Sequence, residues 1–177
     1  MQLISAILPL LLSSTLSLAS PVTKTKRAVS TVLSDIATIS SDVATLTSDA
    51  GSYTGGLFQS LALAITVDNL ESAIKTATSD TTSSATFSST DSDSILSAVT
   101  TLTPKIITLL SDLDGIASTI ASAGYTSTVE SALKTLTTDT DALFVALEAK
   151  VDSADSADLA QLQAEIDAAF ATAVATF

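Results

Sequence analysis

Hydrophobic positions recur at helical spacing along nearly the whole chain. Val29, Ile36 and Val43 step by seven, and Val32, Ile39 and Leu46 interleave at the same step, so residues 29–48 carry one apolar stripe. Asp35, Asp42 and Asp49 keep their own seven-residue step off that stripe. The pattern predicts a helix ending near Ala50-Gly51, with Gly55-Gly56 marking a break. Residues 57–65, "LFQSLALAI", are apolar without clean periodicity and predict either a short helix or a buried connector. Asp68 and Glu71 then stand at capping-box spacing, which predicts a second long helix over about 69–80 with Leu70, Ile74 and Ala77 inward. The polar run "SDTTSSATFSSTDSDS" reads as a loop carrying a lone apolar Phe87.

The third segment is the most regular. Ile95, Leu102, Leu109 and Ile116 form one seven-residue series and Val99, Ile106, Leu113 and Ile120 the other, predicting a helix over 93–122 capped by Asp91 or Ser92. Pro104 removes one backbone donor inside it and should kink it, and Gly115 adds a second weak point. Ser127 and Glu130 repeat the capping-box spacing ahead of a helix over 128–150. Its stripe is Val129, Leu133, Leu136, Leu143 and Leu147, with Thr140 the polar residue on it. The spacer "VDSADSAD" leads to a last helix over 157–175, with Leu159, Leu162, Ile166, Ala169, Phe170, Ala173 and Phe177 inward. No segment alternates as a strand does. The expected fold is all-α: an antiparallel bundle of four long helices plus one shorter helical element, the third helix kinked at Pro104.

Upstream of the first stripe, residues 3–12, "LISAILPLLL", form a short apolar run followed by small residues up to Ala19-Ser20. This is the pattern of a secretory signal peptide, too short for a membrane span. Lys26-Arg27 then stands where a dibasic processing enzyme cuts. The expected organisation is a signal peptide over 1–19, a short basic propeptide or flexible tail over 20–27, and a single helical domain over 28–177. Cleavage after Arg27 removes Lys24, Lys26 and Arg27 and no acid, taking the net charge from −12 to −15.

That charge disfavours nucleic acid and anionic membrane surfaces as partners. Cysteine is absent, so an exported chain must be held by packing alone. Histidine is absent too, and the lack of both excludes a Ser-His-Asp triad, a Cys nucleophile and the usual zinc site. "SAIK" at 72–75 and "SALK" at 131–134 match S-x-x-K but lack its companion motifs, and read as solvated helix neighbours. "DLDG" at 112–115 lacks the third ligand position and the closing Glu of a calcium loop. The expectation is therefore no catalytic residue, no metal and no cofactor. The many Ser and Thr of residues 78–92 could carry O-linked sugars or form a plain polar loop.

The "KR" junction, "VLSDIATISSDVATL", "LESAIKTATSD" and above all "DSILSAVTTLTPKIITLLSDL", with its proline in mid-helix, resemble the fungal hydrophobic surface binding protein A family. That family includes the cell wall galactomannoprotein, or antigenic mannoprotein, group. The resemblance implies a non-catalytic extracellular or wall-associated fungal protein with two alternative behaviours. One is adsorption to hydrophobic surfaces with recruitment of a secreted polyester hydrolase. The other is enclosure of a fatty acid or similar lipid in a helical pocket. The resemblance fixes no pocket residue.

If the bundle, expected as a monomer, keeps a cavity, the widest parts of the stripes should line it. These are Phe58, Leu61 and Ile65 of the connector, Ile107 and Leu110 beside Pro104, and Leu143 and Phe144 opposite. Thr140 either meets a lipid head group there or bonds back to its own helix. N-terminal sequencing of the secreted protein should read from Ala28; a chain in the culture fluid that still begins at Met1 would exclude the processing scheme.

Overall fold

A computed structural model describes the backbone of residues 21–177 and the side chains from Val29 onward. The signal-peptide segment and the side chains of Lys26 and Arg27 lie outside the described residues. The described chain is helical, in six elements: α1 (Pro21–Gly51), α2 (Leu57–Ser83), α3 (Ser89–Gly115), α4 (Ala117–Ala123), α5 (Thr126–Glu148) and α6 (Ser153–Thr176). It thus has five long helices and one short one, where the sequence predicted four long and one shorter.

The two interleaved series of α1 all turn inward: Val29, Val32, Ile36, Ile39, Val43 and Leu46 are each buried. Threonine and serine fill the outer faces, and many hydroxyls bond back to their own helix. Thr38 Oγ1 donates to Ser34 O at 3.0 Å, and Thr45 to Ser41 O at 3.0 Å. β-Branched residues are mediocre helix formers, but this local partner satisfies the hydroxyl without a neighbouring helix.

Residues 57–65 are neither a separate element nor a buried connector, since they are the first turns of α2. The helix starts at Gly56, not at Asp68, because Gln59 organises the turn. Its Oε1 accepts from Thr54 N at 3.0 Å and Thr54 Oγ1 at 2.9 Å, and its Nε2 donates to Ser52 O at 2.9 Å. Gly55, at φ +90°, makes the bend a side chain would strain. α2 also runs on to Ser83, which shortens the predicted loop. Ser88, rather than Asp91 or Ser92, caps α3: its Oγ accepts from Asp91 N at 3.3 Å and donates to Asp91 Oδ2 at 2.7 Å.

Pro104 lies inside α3 without ending it. The helix ends instead at Gly115, and Ile116 at φ −106°, ψ 5° turns the chain into α4. Gly124, left-handed at φ +83°, closes α4. The capping box expected at Ser127 and Glu130 does not form. Tyr125 occupies the N-cap of α5 without a side-chain bond, and Glu130 instead accepts from Lys134 Nζ at 2.6 Å. Asp152 caps α6 by accepting from Ala154 N and Asp155 N, so α6 begins inside the predicted spacer.

Helices α1 and α2 pack antiparallel. Asp49 meets Thr66 near their connection and Asp35 meets Asp80 towards the other end, a constant register sum that only opposed helices give. The long helices close into a ring: α1 touches α2 and α3, α2 touches α5, α5 touches α6, and α6 touches α3. α4 bridges α3 and α5 across one end. The opposite end is stapled, as Phe87 N donates to Lys150 O at 2.8 Å, Lys150 Nζ to Ser84 O at 2.7 Å, and Asp152 N to Ser92 Oγ at 3.0 Å. α3 alone among the described residues is long and apolar enough to cross a membrane. Its apolar face from Ile95 to Leu113 is buried against α1 and α6, as in the core helix of a bundle.

Two interhelical carboxyl pairs sit in these seams. Burial first, and repulsion from Asp80 second, raise the Asp35 carboxyl above the usual 3.8. Burial, followed by repulsion from Asp141, does the same for Asp167. A raised folded-state value costs stability above it, and the cost disappears as pH falls towards the unfolded value.

Two stability predictions follow from this packing. Leu159, with no exposed surface, should cost about 2–5 kcal/mol when truncated in Leu159→Ala, measured by urea unfolding. Asp35→Asn and Asp167→Asn should each raise the urea midpoint at neutral pH and lose that advantage once acidification protonates the parent carboxyl.

Candidate functional site

Five helices in a ring leave more space at the centre than their side chains fill, and the surplus lies in the half of the bundle nearer α4. A cavity of about 370 Å³ runs there. Its apolar wall comes from Ile39, Val43 and Leu46 of α1, Leu70 and Ile74 of α2, and Ile106, Leu109, Leu110 and Leu113 of α3. Ile120 of α4, Leu133 and Leu136 of α5 and Phe170 of α6 complete it. Several of its residues are also exposed: Leu57, Leu61, Ala64 and Asp68 on α2, and Thr128 on α5. The cavity therefore reaches solvent along the α2–α5 seam, where Ala64 and Ala132 present small side chains.

The polar lining is sparse. Tyr53 and Ser60 share a 2.9 Å hydroxyl contact beside the α1–α2 turn, Tyr125 stands at the end of α4, and Asp68 and Glu71 stand along the mouth. Thr140 marks the deep end. It is 95% buried, yet its hydroxyl makes no hydrogen bond among the described residues, whereas Thr137 and Thr138 beside it donate to Leu133 O and Lys134 O. The alternative of a bond to its own helix is thus not realised. The oxygen keeps some accessible surface and lines the cavity, which leaves it open to a partner there.

Of the residues singled out from sequence, Leu61, Leu110 and Thr140 line the cavity. Phe58 and Ile65 do not: they are 85% and 53% exposed, because α2 turns them outward while Leu57 and Leu61 reach the mouth. Ile107 is half-buried, one residue round α3 from the lining Ile106. Leu143 and Phe144 are buried in the core beyond the end of the cavity, about one turn past Thr140. Sequence reasoning missed Tyr53 and Tyr125. These two tyrosines, the chain's full complement, each stand two residues past a helix end, which was the available signal.

An all-helical ring around a partly enclosed apolar cavity defines a class of hydrophobic-ligand-binding bundle. The family model for hydrophobic surface binding protein A matches residues 29–149, and the chain belongs to that family. It is 38% identical to a protein solved as the crystal structure of Afmp4p in complex with palmitic acid. That likeness has a TM-score of 0.83 and covers 84% of this chain and 98% of the other. The fold also matches ligand binding domain 1 of the Penicillium marneffei MP1 protein, complexed with arachidonic acids, at 18% identity and TM-score 0.77, covering 81% and 93% of the two chains. Domain 2 of the same protein, complexed with multiple arachidonic acids, matches at 20% identity and TM-score 0.77, covering 85% and 94%. No curated protein matches the chain by sequence.

Proposed function

We propose that this protein is a secreted or wall-associated, non-catalytic carrier that holds a fatty acid or similar single-chain lipid in the cavity between α1, α2, α3 and α5. The observation that carries this reading is an apolar space of about 370 Å³ whose few lining hydroxyls include the buried Thr140, which makes no hydrogen bond. Ligand sites commonly occupy about 300–1,000 Å³ and combine apolar walls with a few placed polar groups. The palmitic acid complex of the 38% identical relative supports the same ligand class.

The apolar wall supplies affinity by removing the acyl chain from water, at about 25 cal/mol per Å² of buried apolar surface before the costs of association. Leu61 at the mouth, Leu110 mid-wall and Thr140 at the deep end are the contact residues in this reading. The ring acts as a monomeric container. Export through the N-terminal segment, with cleavage after Lys26-Arg27, delivers it outside the cell.

A second reading, adsorption to apolar surfaces, draws on a different observation. Leu57, Phe58, Leu61 and Ile65 form an exposed apolar ridge along the first two turns of α2. Such a face can lie on a wax or polyester film, where a secreted polyester hydrolase would be the enzyme to gain from a bound adaptor.

Leu110→Trp separates the two. The larger side chain fills the cavity, so fatty-acid binding measured by calorimetry should fall at least tenfold, while circular dichroism keeps the helical signal and adsorption to a polyester film is nearly unchanged. Undiminished fatty-acid binding by this variant would refute the carrier reading and leave the surface reading standing.

A further inference from the structure

Resting on the carrier reading, we propose that the cavity selects its ligand by head-group charge: it takes single-chain lipids with an uncharged head, such as a protonated fatty acid, a fatty alcohol or a monoacylglycerol, and discriminates against the carboxylate anion.

From Val29 onward the chain has four cations, Lys75, Lys105, Lys134 and Lys150, and none lines the cavity. Each is engaged. Lys75 Nζ lies 3.2 Å from Asp139 Oδ2 and 3.5 Å from Glu71 Oε2, and Lys134 Nζ lies 2.6 Å from Glu130 Oε1. Lys105 Nζ donates to Ser40 Oγ at 2.7 Å, and Lys150 Nζ to Ser84 O at the far end of the bundle.

The charged groups that do line the cavity are acids. Asp68 and Glu71 of α2 stand along the mouth, and Tyr53 and Tyr125 are its other ionisable groups; the α1, α3 and α6 walls contribute none. Beside Asp68 and Glu71, Lys75 is shared between Glu71 and Asp139 of α5, so three acids face one cation and the entrance is net negative. The segments around the α4 end, residues 50–67, 115–129 and 168–177, contain no charged side chain, so no cation is brought in from there.

A carboxylate taken into this space loses its hydration shell and gains no cation, and Asp68 and Glu71 repel it. Both effects raise the ligand's own pKa and favour its protonated form. An uncharged head meets a matching site. Hydroxyls donate and accept, as do a carboxylic acid, an alcohol and a glyceryl group, and Thr140 has both capacities unused.

Lauric acid and its glycerol monoester, monolaurin, share one acyl chain and differ in head-group charge. Displacement of the uncharged fluorophore 1-aminoanthracene from the secreted protein measures both at about pH 5 and about pH 8, on either side of the titration of a desolvated carboxyl. Monolaurin should bind equally at the two pH values, which also controls for any change in the protein. Lauric acid should weaken at least tenfold on going to the higher pH, and the combined Asp68→Asn and Glu71→Gln variant should narrow its gap to monolaurin there. Lauric acid binding as tightly as monolaurin at the higher pH would overturn the inference and leave the carrier reading intact. So would an unaltered gap in the variant, provided it keeps the parent's helical signal; if it does not fold, the comparison on the parent decides. Failure of both lipids to displace the fluorophore at both pH values would sink the carrier reading itself.

Discussion

Closure of five long helices into a ring is the constraint from which the other properties of this bundle descend. Each long helix has two ring neighbours, so its apolar stripe must cover two seams and also face a common centre. Aliphatic side chains of moderate size seal the seams, as the full burial of Val32, Ile39, Ile95, Leu159 and Ile166 shows. They do not fill the centre where the ring is widest. With no disulfide to hold the ring, the seams must carry it by packing, each buried aliphatic side chain adding about 1.5–3 kcal/mol over its exposed state.

The two ends of the ring are closed by different means, and that difference positions the cavity. At one end, Phe87 plugs the core, and hydrogen bonds among Ser84, Lys150, Ser92 and Asp152 tie the α2–α3 and α5–α6 connections together. At the other, the seven-residue α4 is laid across the opening and contributes Ile120, while Gly55 passes close to Thr119. A short helix covers less area than a long one. Space survives beneath it, flanked by Tyr53 and Tyr125.

Electrostatics is distributed to suit the same plan. The acids stand in the seams and along the outer faces, some facing each other closely enough that burial and mutual repulsion raise the Asp35 and Asp167 carboxyls. The cavity end is almost free of charge, apart from Asp68 and Glu71 at its mouth. The cavity wall inside the mouth is thereby free of charged side chains in a strongly acidic protein. Solubility is served by one set of surfaces and apolar binding by another, with α2 carrying both an exposed apolar ridge and the wall of the mouth.

Much of the fold was legible in the sequence because period and punctuation are local properties. The seven-residue series of the first and third segments named residues that are buried, with Ile116 half-buried, and Gly51 and Gly124 stand where helices stop. The start of α2 was not legible, because Asp68 and Glu71 imitate a cap while the bond-forming residue, Gln59, acts through Thr54 and Ser52 only once the turn is folded. Of the residues picked from the stripes, Leu61, Leu110 and Thr140 line the cavity, and Phe58, Ile65, Ile107, Leu143 and Phe144 do not. A stripe read from periodicity says which side of a helix leaves water. Whether a residue on that side meets a neighbouring helix or an empty centre depends on how five helices close around one axis, and that is decided only by the assembled ring.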